Sequence, residues 1–139
     1  MRQGEIMQLE IPRSPEYVAI ARHAVEGIAR RMRFAPNQIE DLKLAVGEAC
    51  TNAVKHGCAT EDSPTVEIKC VVLPEGLSVE IRNGIEAGEL PCIPVKPDPT
   101  KEGGFGLYMI RQLMDEVILN WDANTAIIKM LKKIGASAV

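Results

Sequence analysis

Between Leu42 and Val54 a largely apolar stretch carries Glu48 and Asn52 four positions apart, a spacing that puts both on one face of a helix. A carboxylate there can take a proton from a hydroxyl or water, and an amide oxygen one turn later is the hard donor that Mg²⁺ prefers. The same pair also suits an ordinary solvated helix face. Further on, Gly103-Gly104-Phe105-Gly106-Leu107 runs straight into an apolar helical pattern. Its backbone and the following helix N-terminus can present amide N–H groups to phosphate, although a plain loop-to-helix connection has the same composition. No Gly-Lys-Ser/Thr follows and no strand leads directly into the glycines, which removes P-loop and dinucleotide-fingerprint readings. No Gly-x-Ser-x-Gly elbow or zinc-binding histidine pair supports a hydrolase. His56 lies at the end of the same helix, where the dipole favours a cation over a catalytic base.

These residues need elements to hold them. Met7, Leu9 and Ile11 alternate with Gln8 and Glu10, the period of a half-buried strand, and Pro12 closes it. Ser14-Pro15-Glu16 reads as N-cap, first helical position and dipole-favoured acid, and opens a helix over 15–33. Pro36 opens a second helix that Gly57 stops, with Leu42, Val46, Ala49 and Ala53 on one stripe. Glu48 and Asn52 point away from that stripe, while Leu44, Ala45, Cys50 and Val54 predict that their side is partly covered too, so a carboxylate there needs a reason. Strands over 65–73 and 77–82 form a hairpin across Pro74-Glu75-Gly76. Residues 84–104 are rich in Gly, Pro and charge, a composition that forbids helix and central strand and predicts a functional lid. A third helix over 106–115 and strands over 116–121 and 125–131 complete the chain. The order β-α-α-β-β-lid-α-β-β predicts an α/β (α+β) two-layer sandwich, a mostly antiparallel sheet with helices on one face. Its other face is either solvated or a dimer interface.

The 139 residues fit one domain spanning 1–139. With 46% hydrophobic and 25% charged residues the chain is globular, which excludes disordered and coiled-coil classes. A net charge of -3 supplies no basic field for phosphodiester backbones, so a protein or small ligand is the expected partner, not nucleic acid. Cys50, Cys58, Cys70 and Cys92 show no zinc-like spacing and are expected to be reduced, with Cys50 and Cys70 in the core. No signal-like run opens the chain and no stretch is apolar enough to span a membrane, which predicts a cytoplasmic location.

The strings IEDLKLAVGEACTNAVKHG and GGFGLYMIRQLMDEV resemble the N box and G2 box of the GHKL ATPase superfamily, and most closely those of its anti-sigma-factor serine kinases. The resemblance covers nearly the whole chain and implies a GHKL (Bergerat) fold. It implies a homodimeric serine-protein kinase using ATP and Mg²⁺, which binds a sigma factor and phosphorylates an anti-sigma-factor antagonist. Glu48 would be the general base and Asn52 the Mg²⁺ ligand. Asn52, His56, Gly103, Gly104, Phe105, Gly106 and Leu107 would surround the nucleotide, with Thr125 near adenine and Arg22 toward the partner. One departure stands out. The family's G1 box has Asp-x-Gly after the hairpin, where this chain has Asn83-Gly84-Ile85. Asn83 still accepts a hydrogen bond, without the aspartate's charge. The alternatives are a non-catalytic partner-binding regulator with a degenerate nucleotide site, and a GHKL enzyme that hydrolyses ATP without a protein substrate.

Overall fold

The computed structural model describes residues 1–57, 59, 64–84, 106–122 and 124–135. The expected lid beyond Gly84, Gly103, Gly104 and Phe105, and Cys58 and Cys92 lie outside these residues. Five strands, β1 (Ile6–Ile11), β2 (Val66–Leu73), β3 (Gly76–Gly84), β4 (Glu116–Trp121) and β5 (Thr125–Lys133), form one sheet in the order β1-β2-β3-β5-β4. Every neighbouring pair is antiparallel. Helices α1 (Val18–Arg31), α2 (Pro36–His56) and α3 (Gly106–Leu113) make the second layer.

Alternation along the strands produces the two layers. Val66, Ile68 and Cys70 of β2, Leu77, Val79 and Ile81 of β3, and Ile128 and Met130 of β5 share one core with Val25, Leu42, Val46 and Ile110 of the helices. The opposite face carries Lys69 and Glu80 3.9 Å apart and Glu67 and Arg82 3.9 Å apart. Such exposed pairs add little stability and keep that end of the face wet. At the β2–β3 turn a Cβ on Gly76 would lie 2.0 Å from the Lys132 carbonyl oxygen, so only glycine fits. Cys50 and Cys70 are buried free thiols. Burial, helped by the nearby Cys70 sulfur, pushes the Cys50 pKa up to about 12, and burial pushes that of Cys70 up to about 11. Both therefore behave as small apolar groups at neutral pH.

The element ends differ from expectation in informative ways. Residues 15–17 form a 3-10 turn before α1, and Ser14 is extended but makes no side-chain cap bond. Its hydroxyl instead lies 3.4 Å from Glu16. The first helix stops at Arg31, two residues early, because Arg33 takes a left-handed φ of 65°. Phe34 N–H then bonds the Ala29 carbonyl at 3.1 Å and Arg33 N–H the Arg30 carbonyl at 3.1 Å. This is the helix-ending bond pattern that usually uses glycine, and here the buried Phe34 anchors it. β3 and β5 each run two residues further than expected from the sequence, to Gly84 and Lys133.

Candidate functional site

The antiparallel register brings the C-terminal end of α2, the end of β3 and the N-terminal end of α3 together at one edge of the molecule. Asn52 is buried on α2, and neither its Nδ2 nor its Oδ1 has a hydrogen-bond partner. Glu48, one turn earlier, is half-buried. Both face the first residue of α3: a Cβ on Gly106 would lie 2.4 Å from Asn52 Nδ2 and 3.5 Å from Glu48 Oε1. The structure thus joins the two glycine and helix segments that the sequence singled out separately. Leu107, the next residue, is core, so it anchors the helix instead of facing the site. Leu44 is 50% exposed, contrary to the covered position expected for it, because it lies on the rim of a groove outside the sheet-facing side.

Asn83 is buried at the end of β3, and its Oδ1 also lacks a partner. A Cβ on Gly57, just past α2, would lie 2.0 Å from Asn83 Nδ2. That glycine is therefore needed for close packing, not only as a helix stop. Gly57→Ala is expected to cost about 1–3 kcal/mol through overpacking, readable as a lower urea midpoint. The register pairs Asn83 with Ala126 and Gly84 with Thr125. Strand alternation puts Asn83 and Ala126 on the helix side and Thr125 on the other. Thr125 donates its hydroxyl to Asn124 at 3.3 Å and its N–H to Asp122 at 2.9 Å. Residue 126, not 125, thus stands beside Asn83, a distinction invisible until the register is known. His56 is exposed in the last turn of α2 beside Lys55. Arg13 was not singled out by the sequence, and its Nη1 donates to the Ala53 carbonyl of α2 at 3.2 Å.

Arg22 is exposed on α1, and its stem crosses α2 where a Cβ on Gly47 would come within 2.8 Å of Arg22 Cδ. A groove of about 410 Å³ runs between α1 and α2, with Arg22, Lys43, Leu44, Glu48, Thr51 and Met109 among its walls. Glu48 therefore borders both the Asn52 side and this outer groove. Among the described residues no cluster of three His, Cys, Asp or Glu side chains could hold a metal by itself. The donor set does fit a nucleotide-bound Mg²⁺. Asn52 Oδ1 is a hard, unpartnered oxygen, and a metal that keeps waters and phosphate oxygens needs few protein ligands.

The family model described as histidine kinase-like ATPase domain matches residues 11–132. The chain is 36% identical over 129 residues to the serine-protein kinase RsbW of Oceanobacillus iheyensis, covering 86% of this chain and 82% of that protein. It is 37% identical over 123 residues to the RsbW of Bacillus subtilis, covering 82% and 77%. The crystal structure of the RsbU and RsbW domains of a Mycobacterium tuberculosis protein superposes with a TM-score of 0.71 at 15% identity, over 94% of this chain and 32% of that one. That likeness supports the fold alone. The matched span, the antiparallel sheet with its one-sided helices, and the identities over most of each relative's length agree that the chain belongs to the histidine kinase-like ATPase family, among the RsbW-type serine-protein kinases.

Proposed function

We propose that this protein is an ATP- and Mg²⁺-dependent serine-protein kinase of the cytoplasm that binds a sigma factor and phosphorylates an anti-sigma-factor antagonist. The observation that carries the reading is the convergence of Glu48, Asn52 and Gly106, with both polar atoms of the Asn52 amide buried and unpaired. A buried amide without partners costs stability, so its retention points to a ligand that completes it. Mg²⁺ with ATP would supply the transferable phosphoryl group and neutralise its developing charge. The chain's own residues do the rest. Asn52 offers its amide oxygen to the metal, and the first turn of α3 offers N–H groups to phosphate. Asn83 offers its orphan oxygen to an amino hydrogen of the base. Glu48 accepts the proton of the attacking serine hydroxyl, which reaches it from the groove beside Arg22 and Thr51. Arg22 supplies a cation for an acidic group of the partner. Homodimerisation is part of the proposal. The sheet face away from the helices, where Ile6 and Ile118 are more than half exposed, is the surface available for it.

Calorimetric titration with ATP and Mg²⁺ tests the site directly. The parent is expected to bind, and Asn83→Asp to bind about fivefold more tightly, since a charged acceptor adds about 1 kcal/mol over a neutral one. No binding by the parent, with binding restored by Asn83→Asp, would instead mark a regulator that acts by association alone. The substitution of Asn for the family's aspartate is the feature that favours this second reading.

A further inference from the structure

The base of the molecule, at the far end of α2 and α3 from the candidate site, holds a charged group that the chemistry above does not use. Along β5 the helix-facing positions Ile128 and Met130 are core, and the next such position is Lys132, only 9% exposed. A buried ammonium is costly unless it is paired. Lys132 Nζ donates to the carbonyl oxygen of Leu113, the last residue of α3, at 2.6 Å, and to Asp41 Oδ2 of α2 at 3.2 Å. One side chain therefore ties the sheet, α2 and α3 together.

The consequence depends on how α3 is held. Its eight residues make a rod about 12 Å long, and within it only Gly106, Leu107 and Ile110 are buried. The Leu113 carbonyl is one of the helix-end acceptors that no intrahelical N–H satisfies, and a cation there also opposes the negative end of the dipole. Just past the helix, Asp115 N–H donates to the Leu131 carbonyl at 2.9 Å and Asp115 Oδ2 accepts the Lys133 N–H at 2.6 Å. A short helix pinned at its last residue transmits that position to its first. At the first residue the tolerance is small, because Gly106 meets Asn52 and Glu48 with no space for a methyl group.

We propose that Lys132 is a positioning residue for the nucleotide site: by holding Leu113 to Asp41 it sets how closely the first turn of α3 approaches Asn52 and Glu48. The functional consequence rests on the kinase reading of that site, whereas the mechanical one does not. Hydrogen exchange on the intact, nucleotide-free protein reads the mechanics. In Lys132→Met, α3 amides are expected to exchange at least tenfold faster relative to global stability, and Lys132→Arg to recover most of the protection. Val25→Ala, which weakens the core under α1, is the control of lowered stability and is expected to leave α3 exchange in step with the rest of the chain. The KM for ATP is expected to rise fivefold or more in Lys132→Met, with kcat within twofold. Protection of α3 equal to that in the Val25→Ala control would overturn the proposal. Should Lys132→Met fail to fold, Asp41→Asn keeps the Leu113 bond and is expected to speed α3 exchange about threefold; unchanged exchange overturns the proposal there too. A parent that binds no ATP would defeat the kinase reading and leave the exchange comparison to decide the clamp.

Discussion

Glu48→Gln is expected to slow phosphoryl transfer to a serine of the antagonist by about 10²–10⁴-fold while ATP affinity stays within about threefold of the parent. Gln keeps the shape of Glu48 and its place beside Gly106, but its amide cannot take up the serine proton. Removing a negative charge close to bound phosphates also favours nucleotide binding slightly, which offsets any loss of packing. The side chain is half-buried and borders the groove that also holds Arg22 and Thr51, so it has open access to a partner's hydroxyl. Single-turnover transfer of labelled phosphate from ATP to the antagonist measures the step without product release. A rate within tenfold of the parent would take the proton-acceptor role away from Glu48 and give the catalysis to positioning and charge neutralisation alone.

Asn52→Ala is expected to separate stability from function. Loss of the amide oxygen should weaken binding of ATP with Mg²⁺ at least 100-fold, equivalent to about 2.7 kcal/mol. The fold should not suffer. Both polar atoms of Asn52 are buried without partners, a state that costs about 1–3 kcal/mol in the free protein, whereas truncation leaves only a small void next to Gly106. The expected melting temperature is unchanged or up to roughly 4 °C higher in the absence of nucleotide. Differential scanning calorimetry with and without ATP and Mg²⁺ reads both effects. A fall of more than about 5 °C without ligand would show that Asn52 is part of the scaffold.

Most of the scaffold was readable locally. Alternation identified β1, β2 and β3, and the spacing of Leu42, Val46, Ala49 and Ala53 identified α2, because each pattern reports which side of its own element meets the core. The errors fell where a tertiary contact overrides a local signal. Arg33 ends α1 without glycine because Phe34 is buried beyond it, and burial of Phe34 is not a local property. Leu44 is apolar yet half exposed, since α2 is covered by α1 on one side only up to the groove. Lys132 breaks the inward apolar pattern of β5, a visible sign once the strand is known to extend to Lys133.

The site divides in the same way. The sequence by itself determined the chemical types available: a carboxylate and an amide one helical turn apart, glycines at a helix start, and an asparagine where the family has aspartate. The helical pitch of 3.6 residues per turn decides the first, local composition the second, and the resemblance to the family's G1 box the third. Only the tertiary structure decided that Asn52 is buried and unpaired, that Gly106 meets it, that Gly57 packs on Asn83, and that Ala126 instead of Thr125 stands opposite Asn83. Each of these depends on a strand register or a helix approach between segments distant in the chain. A slip of one residue in β5 would turn Thr125 to the helix side without changing any local pattern. Such contacts arise from packing the whole core at once, so they belong to the fold and to no single stretch of sequence.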